Sequence, residues 1–305
     1  MALPAYVDRW ERIWHWVYLT FCALVFLFLF LLLPVLVVVP LSFNAEPYFS
    51  FTEGMLTLDP AAYSLRWYRD ILQNGMADPT QLFSGWSWIG DAWANSQWIH
   101  AAKNSIVIAI GATILSTLLG TVAALGLSQS ILPGRRLIMA LLISPMIVPI
   151  IVTSTSLYFL FSEIGLANTY LGLIVAHAIL GTPFVVITVT ATLSGFDRSL
   201  IRAGQSLGAS PLVVFQRVIM PLILPGILSG ALFAFGTSFD EVVAVIFLAD
   251  YDQRTIPRQM WSGLREQISP TILAVATILV AMSILLLTVV ELLRRRSERL
   301  RGLTA

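Results

Sequence analysis

The chain alternates between long stretches without a charged side chain and short segments where charges gather. Six stretches of more than twenty residues carry no Asp, Glu, Lys or Arg: 13–45, 104–134, 137–162, 164–196, 218–239 and 267–290. A helix needs about 20 apolar residues to cross roughly 30 Å of hydrocarbon. A spanning segment must also satisfy its own backbone, which leaves only helices or closed barrels. Each stretch is too long and too evenly apolar for a barrel strand of about ten alternating residues. The pattern predicts an all-α membrane protein with six transmembrane helices, centred near Phe28, Ser116, Pro149, Thr182, Leu232 and Thr277. The predicted organisation is an interfacial N-terminal segment at 1–15, a first transmembrane helix at 16–42 and an extracytoplasmic excursion at 43–103. A core of five helices at 104–293, with an internal loop at 197–220, and a basic tail at 294–305 complete it.

The first apolar stretch, Val17 to Val39, exceeds the 7–15 residues of a signal-peptide core, and no small-residue cleavage site follows it. It reads as a retained helix. Ahead of it, Trp10, Ile13, Trp14 and Val17 share one helical face among Asp8, Arg9, Glu11 and Arg12, the pattern of an interfacial lead-in. In the excursion, Leu65, Tyr68, Ile71 and Leu72 follow Asp59-Pro60 at helical spacing, among several tryptophans. Two readings stay open there, an aromatic belt at the membrane surface and a binding cage.

An even number of spans puts both termini on one side. That side carries Arg9, Arg12, Arg135, Arg136, Arg198, Arg202, Arg217, Arg294, Arg295, Arg296, Arg299 and Arg301, against six Lys and Arg residues on the other. The positive-inside rule then makes both termini cytoplasmic. Glu291 and Arg295, one helical turn apart, read as an anchor at that end. Composition narrows the function classes. Charged residues make up 11% of the chain, against roughly 25% in soluble domains, which excludes a soluble enzyme and a disordered protein. Net charge is +1, with no basic block for nucleic acid. Cys22 is the only cysteine, so disulfide frameworks and cysteine metal sites are excluded. The only lysine, Lys103, lies outside any Gly-x-x-x-x-Gly-Lys-Ser/Thr run, so the chain cannot itself bind ATP through a P-loop.

The segment from Ser199 to Pro211 has an unusual design. Asp197 is placed to cap a helix beginning near Arg198, and Leu200, Ile201, Ala203, Gly204 and Leu207 form an apolar or small face. Gly208 supplies a left-handed turn, Ser210 caps again and Pro211 takes the first position of a second helix. Small residues at 203 and 204 would let another protein's backbone approach closely. Ala203, then Gly208, then nine residues, then Val218-Ile219-Met220-Pro221 resembles the EAA loop of binding-protein-dependent, MetI-like ABC importer permeases. The family pattern is Glu-Ala-Ala, three residues, Gly, nine residues, Ile-x-Leu-Pro. Arg202 stands where the pattern has Glu, and Gly204 where it has the second Ala.

Further residues resemble the spermidine/putrescine branch of these permeases: Ser64-Leu65-Arg66-Trp67-Tyr68, Ile164-Gly165-Leu166, His177 with Pro183-Phe184, Ser238 to Val243, Thr255-Ile256-Pro257 and Ala274 to Thr277. The resemblance implies a type I ABC importer permease fold over about residues 100 to 293, in a bacterial inner membrane. It implies a non-catalytic subunit with no cofactor of its own, working with an ATPase dimer that binds ATP and Mg2+. A second homologous permease, an extracytoplasmic solute-binding protein and the lipid bilayer are the other implied partners. In such a permease Arg202, Ala203, Gly204, Leu207, Gly208, Ala209, Ser210 and Pro221 would form the coupling contact with the ATPase. The implied cargo is a polyamine such as spermidine or putrescine. An amino-acid-derived or opine-like solute is the alternative, and an ATP-independent secondary transporter is a further one.

Asp240 and Glu241 lie roughly 28 Å beyond Pro221 if the helix is unbroken, near its outer end. Ionisable groups at such depths face the bundle or a water-filled cavity. They are expected either to attract a cationic solute, with Phe239 beside them on the pathway, or to be helix-end charges, one of them meeting a neighbouring helix or Arg254. His177, in mid-span, is expected either to bond between helices or to line the pathway, while His15 and His100 sit near interfaces. Gly226, Gly230 and Gly236 would permit close packing or a bend, and Pro145 and Pro149 would kink the third span.

Overall fold

The computed structural model describes residues 9–77, 85–128, 132–195, 197, 199–266 and 269–300. In chain order its helices are α1 (Ile13–Leu41), α2 (Glu53–Leu56), α3 (Arg66–Gln73), α4 (Trp86–Asn95), α5 (Gln97–Leu127), α6 (Arg135–Ile147) and α7 (Ile150–Glu163). They continue as α8 (Tyr170–Ser194), α9 (Ser199–Ser206), α10 (Pro211–Asp240), α11 (Val243–Leu248), α12 (Ile256–Glu266) and α13 (Thr271–Leu300). Among the described residues there is no strand, only an isolated bridge between Asn44 and Tyr63. The protein is an all-α membrane protein. Among the described residues four helices, α1, α5, α8 and α10, are long and apolar enough to cross a bilayer unbroken.

The third apolar stretch differs from the kinked span that its prolines predict. It forms two helices, α6 and α7, at 101° to one another. Pro149 has no N–H to continue the α6 ladder and forces Val148 into an extended conformation, with ψ 134°. Counting the bent pair as one crossing gives five spans. The final helix contributes the apolar stretch Thr271–Leu285, shorter than a full crossing, and most side chains beyond it lie outside those described.

The chain divides into two compact units. One comprises residues 1–74 and 263–305. Here α1 has no buried residue in its most apolar window, while its last turns, with Leu41 buried, pack against α13. Its C-terminal end leads into a fold organised by Asn44. The buried Asn44 amide donates to the Tyr48 and Ser50 carbonyls at 3.2 and 3.1 Å, and its Oδ1 accepts from the Glu46 N–H at 3.0 Å. Its carbonyl takes the Trp67 indole N–H at 2.7 Å. Arg66 lies over the Trp67 ring at 4.1 Å. The Thr271 hydroxyl donates to Asp70 at 2.6 Å, fixing α13 to α3.

The second unit, residues 75–262, is built around α5, α8 and α10. Lipid tails give no hydrophobic drive for helices to associate, so close packing must supply it. Small residues open the contacts. A Cβ added at Gly230 would stand 2.8 Å from the Val185 Cα, and one at Gly120 would stand 2.7 Å from the Val185 Cβ. Gly226 likewise meets α8, at Thr188 and Thr192, whereas Gly236 has open space beside it. Two apolar clusters fill the interior, one around Val185, Val189, Ile223 and Ile227, the other around Ile108, Leu173, Val245 and Leu248. Gly230→Ala should therefore push α8 and α10 apart and cost about 1–3 kcal/mol, while Gly236→Ala should be neutral. Thermal unfolding of the two variants in detergent checks this; equal midpoints would contradict the packing.

Candidate functional site

Two places in the second unit gather the residues that the sequence singles out. The first is the turn between α8 and α10. Asp197 accepts from the Ser199 N–H at 2.8 Å and from its hydroxyl at 2.6 Å, which starts α9. The Ser199 hydroxyl and N–H hold the Asp197 carboxyl below its usual pKa, and the Arg202 charge adds to this. At the other end the Ala209 N–H reaches the Gly204 carbonyl at 3.1 Å and the Gly208 N–H reaches that of Gln205 at 2.9 Å. These two bonds, with Gly208 at φ +79°, form a Schellman turn. Ser210 then caps α10, accepting from the Val213 N–H at 3.5 Å, and Pro211 follows.

The result is a stiff elbow. Arg202, Ala203, Leu207, Gly208 and Ser210 are exposed on it, and Ala209 is half-buried. Leu207 stands 88% exposed and Leu212 64%, and Leu200 and Val213 beside them are exposed as well, so the elbow presents an uncovered apolar surface. Gly204 turns inward: a Cβ there would stand 3.1 Å from Val214 Cγ2. Its smallness serves this internal contact. A π-helical turn, Phe215–Ile219, precedes Pro221, which is exposed near the start of the final α-helical stretch, Met220–Asp240.

The second place is the far end of the same bundle. His177 is 1% exposed, and its Nδ1 pairs with the Ser238 hydroxyl at 2.8 Å, tying α8 to α10; Nε2 is buried without a partner. Phe239 stacks on Phe235 with ring centroids 5.7 Å apart. Asp240 is exposed at the last turn of α10. Glu241 faces another task, since its Oε1 accepts from the N–H groups of Val243 and Ala244 at 2.6 and 2.9 Å. It thereby caps the N-terminus of α11. Arg258 completes the pattern at the C-terminal end, where its Nη1 donates to the Val245 and Ala249 carbonyls at 3.2 and 2.7 Å. A negative charge at the first turn and a positive one at the last both suit the helix dipole. Burial lowers the Arg258 pKa, and the Arg254 charge nearby adds to the effect. Arg254 itself contacts Gln259 at 3.4 Å and the Tyr251 ring at 4.5 Å, and makes no bond to Asp240 or Glu241.

Sequence reasoning missed Ser238 as the partner of His177 and Asn104 as the clasp on the loop after α11. Asn104 is buried and donates to the carbonyls of Asp252 and Arg254, both at 2.8 Å. Its position beside Lys103, just inside an apolar stretch, was the available signal. The His177–Ser238 pair should behave as one unit. In bilayer proteins such bonds contribute about 0.6 kcal/mol on average and up to about 1.7. A double-mutant cycle on thermal unfolding with His177→Leu and Ser238→Ala should return a coupling in that range. Strict additivity of the two losses would contradict it.

Known proteins resemble this chain in sequence and in fold. The family described as "Binding-protein-dependent transport system inner membrane component" matches residues 116–300. The chain is 31% identical over 213 residues to the spermidine/putrescine transport system permease protein PotC of Haemophilus influenzae, covering 70% of this chain and 83% of that protein. It is 31% identical over 207 residues to the putrescine transport system permease protein PotI of Escherichia coli, covering 65% of this chain and 74% of that one. Its fold is similar to that of a chain in the crystal structure of a bacterial ABC transporter involved in the import of alginate. That match has a TM-score of 0.64 and 15% identity over 95% of this chain and 99% of that one. A second structure, of the alginate transporter in complex with an alginate-pentasaccharide-bound periplasmic protein, matches with a TM-score of 0.61 and 17% identity, over 91% of this chain and 93% of that one.

Proposed function

Because the chain belongs to the family of inner-membrane components of binding-protein-dependent transport systems, we propose that its exposed elbow at 199–211 is the surface through which a separate ATPase drives transport of a polyamine. The protein is a non-catalytic, multi-pass permease subunit of an ABC importer. The observation that carries the coupling role is the elbow's geometry. Caps at Asp197 and Ser210 and the left-handed Gly208 fix its shape, and Leu207 projects from it uncovered. An apolar side chain held out on a rigid turn gains from insertion into a partner's groove.

On this reading the elbow and both termini face the cytoplasm. Two ATPase copies bind ATP with Mg2+, and a second permease completes the pathway. ATPase closure displaces the elbow, and the helices on either side of it, α8 and α10, move together toward an outward-open state. An extracytoplasmic binding protein then releases its solute into the pathway. Coupling requires the ATPase to have different affinities for the two permease conformations. The polyamine assignment takes its support from the named substrates of the related permeases and from the exposed Asp240 at the outer end of α10. Glu241, engaged in capping α11, serves this reading only by positioning its neighbour.

Two experiments in proteoliposomes holding the whole complex test this. Leu207→Asp should abolish ATP-driven uptake while the permease remains folded, and it should weaken co-purification of the ATPase. Full uptake by that variant would refute the coupling role. Asp240→Asn should raise the half-saturating spermidine concentration severalfold, with thermal stability unchanged. An unaltered concentration dependence would remove Asp240 from the pathway, and the absence of any polyamine-stimulated ATP hydrolysis in the wild-type complex would overturn the substrate assignment.

A further inference from the structure

Lys103, the only lysine of the chain, closes the corner between α4 and α5. Its Nζ donates to the Trp93 carbonyl at 2.7 Å and lies 4.8 Å from the Trp93 ring centroid. Carbonyls in the last turn of a helix lack partners within it and carry partial negative charge, so one ammonium N–H suffices to tie the end of α4 to α5. An ammonium has three N–H donors, and among the described residues no carboxylate or other acceptor takes the remaining two. The one acid on α4, Asp91, is engaged elsewhere: it accepts from the Ala77 N–H at 3.3 Å and from the Asn95 amide.

The depth of this corner follows from the same bond. Residues 104–134 carry no charge, and the part of α5 from 104 to 127 rises about 36 Å, more than the roughly 30 Å of hydrocarbon. Lys103 therefore stands at headgroup level and holds Trp93 there with it. Trp86 and Trp93 lie two turns apart on one face of α4, 87% and 61% exposed, with Ile89 between them. Tryptophan, apolar in body with one N–H to donate, is enriched at that depth. Along α5 the face that Lys103 heads continues through Ile106, Val107, Ile110, Ile114 and Leu118, all exposed. It runs about 22 Å from Lys103, which exceeds half the hydrocarbon thickness. The outward stripe of α10 differs, because Ser229, Gly236 and Asp240 interrupt it. An ionisable group there suits water better than acyl chains, whereas the α5 face suits acyl chains.

Tyr170, the first residue of α8, donates to Asn104 Oδ1 at 2.8 Å. Helices α5 and α8 thus begin at one end of the bundle, and the elbow lies at the other. We propose that the corner is a binding site for one anionic phospholipid of the leaflet away from the elbow. Lys103 gives its spare N–H groups to the phosphate, Trp86 and Trp93 lie among the headgroups, and an acyl chain follows the apolar face of α5. Charge selects the anionic class. A zwitterionic headgroup brings its own ammonium beside Lys103, whereas a net negative one leaves the attraction unopposed. The site requires only that α5 spans the membrane; the importer reading serves to name the leaflet as the outer one, and uptake measurements test that reading separately.

The test reconstitutes the whole complex in phosphatidylcholine nanodiscs containing increasing shares of a lipid with brominated acyl chains, and reads tryptophan fluorescence. The part of the quenching that the double variant Trp86→Phe/Trp93→Phe removes reports on this corner. In the wild type it should reach half its maximum at an about fivefold lower share of brominated phosphatidylglycerol than of brominated phosphatidylcholine, the gain expected from one basic residue near an anionic headgroup. Lys103→Gln, whose amide can still donate to the Trp93 carbonyl, should erase that preference, and Lys103→Arg should keep it. Equal half-maximal shares for the two lipids in the wild type overturn the site, as does a preference that Lys103→Gln retains. Quenching that the double variant leaves unchanged shows another chain or water covering the corner and overturns it too. A preference removed by millimolar inorganic phosphate assigns the corner to soluble anions, with the same consequence. The wild-type comparison decides the matter even if Lys103→Gln fails to fold.

Discussion

The contact between α8 and α10 at Gly230 and Val185 is the constraint from which the rest of the second unit follows. Helices in hydrocarbon gain little by hiding apolar surface from a solvent that is equally apolar, so their association depends on how closely the backbones meet. With no side chain at 230, the main chain of α10 lies against the Val185 Cα, and Gly226 extends the same contact one turn further. The close approach leaves two helices that cannot slide independently. It also places His177 opposite Ser238, where a polar bond closes the far end of a seam that is otherwise van der Waals contact.

The elbow joins these two helices in sequence as well as in space. Under the proposed coupling role, a push on residues 199–211 would reach α8 at Ser194 and α10 at Pro211, and the close glycine contacts between the two helices would favour a joint response. Stiffness at the elbow matters for the same reason. A flexible turn would absorb displacement in its own dihedrals, whereas caps at both ends and a Schellman turn between leave little to absorb it. The π-helical turn at Phe215–Ile219 is the one irregularity between the elbow and the seam. It sits where a helix continuous from Pro211 to Asp240 can most readily change its pitch.

Much of this was legible in the sequence because it depends on local chemistry. Charge-free stretches locate helices without reference to any neighbour, and Asp197, Gly208 and Ser210 declare their caps through backbone preferences of single residues. What was not legible depends on partners distant in sequence. Pro149 announces a break, but the angle between α6 and α7 is set by what each half packs against, and it came out at 101°. Glu241 looked like a candidate for solute attraction because its depth in the membrane could be counted. Its role as the cap of α11 required knowing that the chain leaves α10 at Asp240 and starts a new helix three residues later, at Val243. Asn104 carried even less signal, since its bonds go to carbonyls some 150 positions away.

The two departures from the loop pattern resolve differently once the elbow has a shape. At 204 the pattern's alanine would bring a Cβ to within 3.1 Å of Val214 Cγ2, a contact tight enough that a β-branched neighbour must give way. Glycine therefore fits the valine, and the pair changes how the elbow is packed without changing what it presents. At 202 the side chain is exposed, so nothing inside the chain demands arginine, although its charge helps keep the nearby Asp197 ionised. A reversal of sign on the exposed face must be answered outside this chain. If the elbow docks on an ATPase, the groove that receives it has to offer Arg202 an acceptor or leave it in water, because burying a guanidinium unpaired would oppose docking.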